Sequence, residues 1–161
     1  MPSERRIWVV PFFGQGHLFP CMELCKHIAS RNFSTTFIIS SNLSSSIPSS
    51  FCDHPLIEVV QIPTPPPTLP PELNPNHPHA HNHHSDLAQG IASLLENAAV
   101  PACAVLDIMM DWTADIFKKH KIPTVTFFTS GACSAALEHA MWKARVVDIK
   151  PGQTLLLPGF P

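Results

Sequence analysis

The stretch "PFFGQGHLFP", Pro11 to Pro20, decides how the rest of the chain is read. Before it stands the short apolar run "IWVV". After it, Leu18, Cys21, Met22, Cys25, Ile28 and Ala29 recur at helical spacing, with Glu23, Lys26 and His27 on the other faces. A buried strand over Ile7 to Phe13 therefore leads through Gly14 and Gly16 into a helix, with His17 where that helix begins. Glycines at such a place let a backbone turn sharply and come close to a ligand.

Working outward, the same alternation continues. "STTFIIS" (Ser34 to Ser40) is a second strand, "SNLSSSIPSS" a serine-rich loop and "PLIEVVQIP" a third strand. Leu87 to Ala99 is helix-like, and "PACAVLD" is a fourth strand that ends at Asp107. "WTADIFKKH" is another helix, "IPTVTFFTS" a fifth strand, and "ACSAALEHAMWKA" a further helix. Strands alternating with helices of this length imply an α/β fold, a Rossmann-like parallel sheet with helices on both faces.

Whole-chain numbers limit the function classes. A chain of 161 residues with a formal charge of −2 carries no basic stripe for nucleic acid and no polybasic helix for an anionic membrane. Its longest strongly apolar stretch, Ile7 to Phe13, contains Pro11 and is too short to span a bilayer, so no integral membrane segment is expected. The expected location is cytoplasmic. Five cysteines, odd in number and without a CxxC spacing, agree with buried, reduced thiols. Cys21 and Cys25 lie one helical turn apart, so both can face the sheet.

Ligands of doubly wound sheets bind at the carboxyl ends of the strands. Three polar groups fall there: Gly14 to His17, Asp107, and Thr129 with Ser130. A phosphate-binding loop would need a Gly-Lys-Ser/Thr ending, which is absent. A dinucleotide fingerprint would need glycine near Phe19 and an acid after the second strand, where the sequence has "FIISSN". What remains is a histidine within reach of a carboxylate across the switch point, which could take a proton from a hydroxyl. Spacing leaves a second possibility equally open, in which His17 caps a helix and Asp107 pins a loop.

"VVPFFGQGHLFPCMELCKHIASR", "CAVLDIMMDWTADIFKKHKIPTVTFFTSGA" and the closing "LLLPGFP" resemble the N-terminal half of the plant UDP-sugar-dependent glycosyltransferases. The similarity runs from about residue 6 to the last residue, apart from the loops around 41–55 and 63–86. The resemblance implies a GT-B fold, two Rossmann-like domains across a cleft, of which residues 1–161 form an incomplete acceptor-binding domain. It implies transfer of a sugar from UDP to a hydroxyl of a small specialised metabolite, such as a phenol or flavonoid, with inversion. By position, His17 would be the general base, Asp107 its partner and Thr129 a contact to the donor sugar. No metal and no cofactor are implied, the UDP-sugar being a co-substrate. The UDP-binding segment of the family is not found in these residues, so UDP-sugar binding is expected only with the missing C-terminal domain, and the chain alone is expected to be inactive. The alternative is a truncated, non-catalytic small-molecule binding or regulatory derivative.

Other residues are read more plainly. Phe13 and Met109 flank the expected base and are weak candidates for the acceptor pocket. Trp112 and Trp142 read as packing residues, and Asp111 as an acid stabilised at a helix start. Eight of the 18 prolines lie between Pro63 and Pro78, and "HPHAHNHHSD" holds five histidines. The segment from about 63 to 86 is thus expected to be an extended, mobile surface loop near the acceptor entrance, without the fixed geometry that a metal site requires.

Overall fold

A computed structural model describes residues 6–64 and 78–146, with 150 and 152, and side chains from residue 84 onward in the second of these segments. Strand β1 (Arg6–Val10) is followed by helix α1 (Gln15–Ala29), β2 (Ser34–Ser40), a 3₁₀ turn (Ser41–Ser46), the short helix α2 (Ser49–Cys52) and β3 (Ile57–Ile62). Helix α3 (Pro78–Asn97), β4 (Cys103–Asp107), a second 3₁₀ turn (Ile108–Thr113), α4 (Ala114–Lys119), β5 (Thr124–Phe127) and α5 (Ala132–Lys143) complete the order. The five strands form one parallel sheet in the order β3-β2-β1-β4-β5. The expected fold class is therefore the observed one.

Strand alternation sorts the core into two layers. Trp8, Val10 and Ile38 face one side, with Leu87, Ile91 and Leu95 of α3 and Phe117 of α4. Val9, Phe37 and Ile39 face the other, with Leu18, Cys21, Met22, Cys25 and Ala29 of α1 and Phe51 of α2. Period-2 strands covered on both sides favour apolar residues on both faces, which is why β1 carries Ile7 to Val10 and β2 carries Phe37 to Ile39 as unbroken apolar runs. The chain divides into two compact units, the sheet unit up to Phe127 and a second from Phe128 onward that contains α5.

Several local expectations are corrected. The turn before α1 does not need its glycines: Gly14 sits at φ −73° and ψ 143°, open to any residue, and a Cβ on Gly16 would meet nothing within 4 Å. The serine-rich loop is instead a 3₁₀ turn and a short helix. Ser40 accepts from the Asn42 amide at the start of that turn, and Ser and Asn side chains favour such local backbone bonds. Helix α3 begins nine residues before Leu87, so 78–86 is helix and not extended loop. Pro78 stands at its first position, where proline's fixed φ is pre-organised for a helix and its missing N–H has no partner to lose. Leu87, Ile91 and Leu95 anchor the rest of that helix on the sheet. Residues 65–77, the remainder of the expected loop and including His77, lie outside the described residues.

Candidate active site

β1 is the central strand, and the chain leaves its two sides in opposite directions, to β2 and to β4. This is the topological switch point, where a crevice opens outside the strand ends. Val10, the last residue of β1, pairs with Leu106 of β4, so α1 starts beside the residue after Leu106, which is Asp107. That register brings residues 90 positions apart into contact.

His17 Nδ1 lies 2.9 Å from Asp107 Oδ2 and 3.0 Å from Oδ1. Asp107 is completely buried, while the His17 side chain keeps 29% of its surface exposed. One end of the pair is thus shielded from water and the other faces it. Asp107 also accepts a hydrogen bond from the Met109 N–H at 2.9 Å, capping the second 3₁₀ turn. This carboxylate thus both pins its loop and holds the imidazole. As a carboxylate it only accepts, so His17 Nδ1 is the donor in this contact. Asp111, the other carboxylate nearby, is exposed on the 3₁₀ turn.

Cys21 follows His17 by four residues on α1 and directs its Sγ toward Asp107 Oδ2 at 3.9 Å. Burial first, and the charge of Asp107 second, push its thiol well above the ordinary range, so it stays protonated and can donate. Of the five cysteines, all free, Cys21 and Cys25 are buried as expected and Cys103 is half-buried. Cys52 and Cys133 are exposed, because each lies on a short or terminal helical turn with its side chain away from the core.

The ring of Phe12 meets His17 edge-on at 5.2 Å, and Phe13 packs on Phe12 at 3.9 Å. Together they line a narrow, mostly apolar cavity of about 30 Å³ whose other walls include Leu43, Leu87, Met110 and the stacked pair His84 and Trp112. Phe13 thus stands in a cavity wall. Met109 points elsewhere, 52% exposed, and its neighbour Met110 occupies the wall instead. The reason is the 3₁₀ turn, whose threefold spacing turns adjacent residues to different sides. Thr129 lies two residues beyond β5, half-buried, and is described with the second unit. In that unit Trp142 is 75% exposed and stacks on His139, so it is not the packing residue expected of it.

The sequence reading did not place Cys21 beside Asp107, although the i, i+4 spacing from His17 was a signal for it. Which of Met109 and Met110 faces the cavity was set by the 3₁₀ turn, which nothing local marks. Among the described residues there is no group of three or more side chains able to hold a metal, and no helix long and apolar enough to cross a membrane.

A doubly wound sheet with a histidine–carboxylate pair at its switch point holds that pair where such folds place their ligands. Comparison with known proteins narrows that reading. No protein-family model matches the chain. Mogroside IIIx synthase of Siraitia grosvenorii is 33% identical over 144 residues, 78% of this chain and 28% of that protein. UDP-glycosyltransferase 74E1 of Arabidopsis thaliana is 24% identical along the whole chain, which covers 37% of it. Among solved structures, Medicago truncatula UGT71G1 complexed with UDP-glucose superposes with a TM-score of 0.79 over 99% of this chain and 38% of its own, at 22% identity. The chain is similar to the plant UDP-glycosyltransferases and carries part of their GT-B fold. It spans about a third of the length of the curated relatives it matches.

Proposed function

We propose that this chain is the acceptor-binding, base-carrying part of a UDP-sugar-dependent glycosyltransferase. The observation that supports it is the buried Asp107 carboxylate held 2.9 Å from Nδ1 of a partly exposed His17 at the switch point. In this reading a hydroxyl of a small acceptor gives its proton to His17 Nε2. Asp107 keeps the tautomer and offsets the charge of the imidazolium that forms. The oxygen attacks the anomeric carbon opposite the departing UDP, which inverts its configuration. Thr129 is proposed to contact the donor sugar, and Phe13 the acceptor.

Neither a metal nor a cofactor has a step in this scheme. Groups that grip uracil, ribose and diphosphate are proposed to lie outside residues 1–161, because the glycine turn and Thr129 offer too few contacts to offset the cost of association. The chain alone should then bind UDP undetectably by calorimetry and transfer no sugar.

The deciding experiment compares wild type with His17→Ala in the chain joined to a UDP-sugar-binding domain, using a simple alcohol as acceptor. Loss of a general base should lower turnover by about a hundred- to ten-thousand-fold. Acidic phenols should lose less, since they ionise partly without help. Undiminished transfer to the alcohol by the alanine variant would overturn the assignment, and acceptor binding without any transfer by wild type would favour a binding role.

A further inference from the structure

A fully buried carboxylate must have its oxygens satisfied, and an ionised one offers about four acceptor sites. Asp107 Oδ1 receives the Met109 N–H at 2.9 Å, which ties that oxygen to the backbone. Among the described residues Oδ2 has no such backbone tether: its neighbours are His17 Nδ1 at 2.9 Å and the Cys21 thiol at 3.9 Å. The imidazole cannot serve as its own anchor, because it is the group being positioned.

Cys21 meets three requirements for that anchor. It sits four residues after His17, so α1 presents both side chains to the same carboxylate. Its side chain has no exposed surface, so water does not compete for the contact. Burial beside a carboxylate keeps the thiol protonated, so it donates and does not repel. We infer that Cys21 is a positioning residue, whose S–H on Oδ2 acts with the Met109 N–H on Oδ1 to hold the Asp107 carboxylate in the orientation that His17 Nδ1 requires. Helix α1 then carries both the candidate base and one of the two clamps on its partner, and a shift of the helix moves them together.

The catalytic consequence rests on the base assignment proposed above, but the contact can be read without any sugar transfer. The measurement is nuclear magnetic resonance of the ¹⁵N-labelled 161-residue chain, following water exchange of the His17 Nδ1 proton in wild type, Cys21→Ser and Cys21→Ala. Serine keeps a donor at this position and alanine removes it, while both are smaller than cysteine. We expect exchange to be several-fold faster in Cys21→Ala and close to wild type in Cys21→Ser, with amide protection along the rest of α1 alike in all three. Equal exchange in all three proteins would overturn the inference, since the thiol would then do nothing for the pair. Equal disturbance in serine and alanine would overturn it too, showing that only packing volume matters. Failure of the base assignment looks different: His17→Ala would leave transfer intact while the exchange contrast persisted.

Discussion

The two faces of the sheet are built from the same strands yet do different work. On one, α1 lays Leu18, Cys21, Met22, Cys25 and Ala29 against Val9, Phe37 and Ile39, and its first turn carries His17 onto Asp107. On the other, α3 and α4 lay Leu87, Ile91, Leu95 and Phe117 against Trp8, Val10 and Ile38. The α1 layer is continuous with a polar pair, so its packing sets the geometry of that pair. The α3 layer is mainly apolar and borders the cavity through Leu87, Ile38 and Met110, with Phe12 packed against it. A substitution should therefore reveal which face it is on by whether activity or stability falls first.

The sharpest contrast is expected at Asp107. With the donor domain joined, Asp107→Asn should lower turnover by about a hundred- to ten-thousand-fold and change acceptor affinity little, because an amide cannot balance an imidazolium and favours the wrong tautomer. Steady-state kinetics beside Asp111→Asn checks this, and a crippling change at Asp111 with a harmless one at Asp107 would exchange their roles.

On the opposite face, Trp8→Ala should show its effect as stability. Trp8 is 2% exposed and meets Phe117 edge-on at 6.1 Å, so its truncation should cost about 3–5 kcal/mol. Urea denaturation measures it, and a fall below 1 kcal/mol would mean that α3 and α4 do not pack as described. A smaller effect on the same face comes from Gly90. A Cβ there would fall 2.3 Å from Ile62 Cγ2, so α3 approaches β3 only because residue 90 has no side chain. Gly90→Ala should destabilise by about 1–3 kcal/mol, and Gly90→Ala with Ile62→Ala should recover part of that loss.

The gentlest test uses the sulfur atoms of the α1 face. Burial pushes the Cys25 thiol up from 9.0 to about 12, against a weaker opposing bond from Thr35. A folded value above the unfolded one gives stability that is complete below about pH 9 and is lost as pH rises toward 12. Melting temperature should fall over that range, and Cys25→Ala should flatten the fall. A wild-type curve parallel to that of the variant would show that this thiol is not desolvated. Brief alkylation at neutral pH should likewise mark Cys52 and Cys133 before Cys21 and Cys25.

Legibility in the sequence follows the range of the forces involved. The α/β alternation was plain because apolar periodicity is local, and strand and helix leave different marks within a dozen residues. β2 was read to its ends, while β1 stops at Val10, before Pro11, and β5 is only four residues long. Helix α3 was under-read because proline and histidine density resembles a loop, although Pro78 stands where a helix accepts it. His17 and Asp107 could be named from their places at strand ends, and the family motifs carried their roles.

What the sequence by itself determined is the set of elements, the parallel sheet and the identity of the two polar residues at its switch point. Only the tertiary structure decided that Asp107 has lost all its exposed surface while His17 keeps some, that the Cys21 thiol comes within 3.9 Å of Asp107, and that Met110 rather than Met109 forms the cavity wall. The physical reason is that burial and side-chain direction depend on partners far along the chain. Contact between residues 17 and 107 comes from the register of β1 on β4, which is a property of packed strands and of neither segment alone.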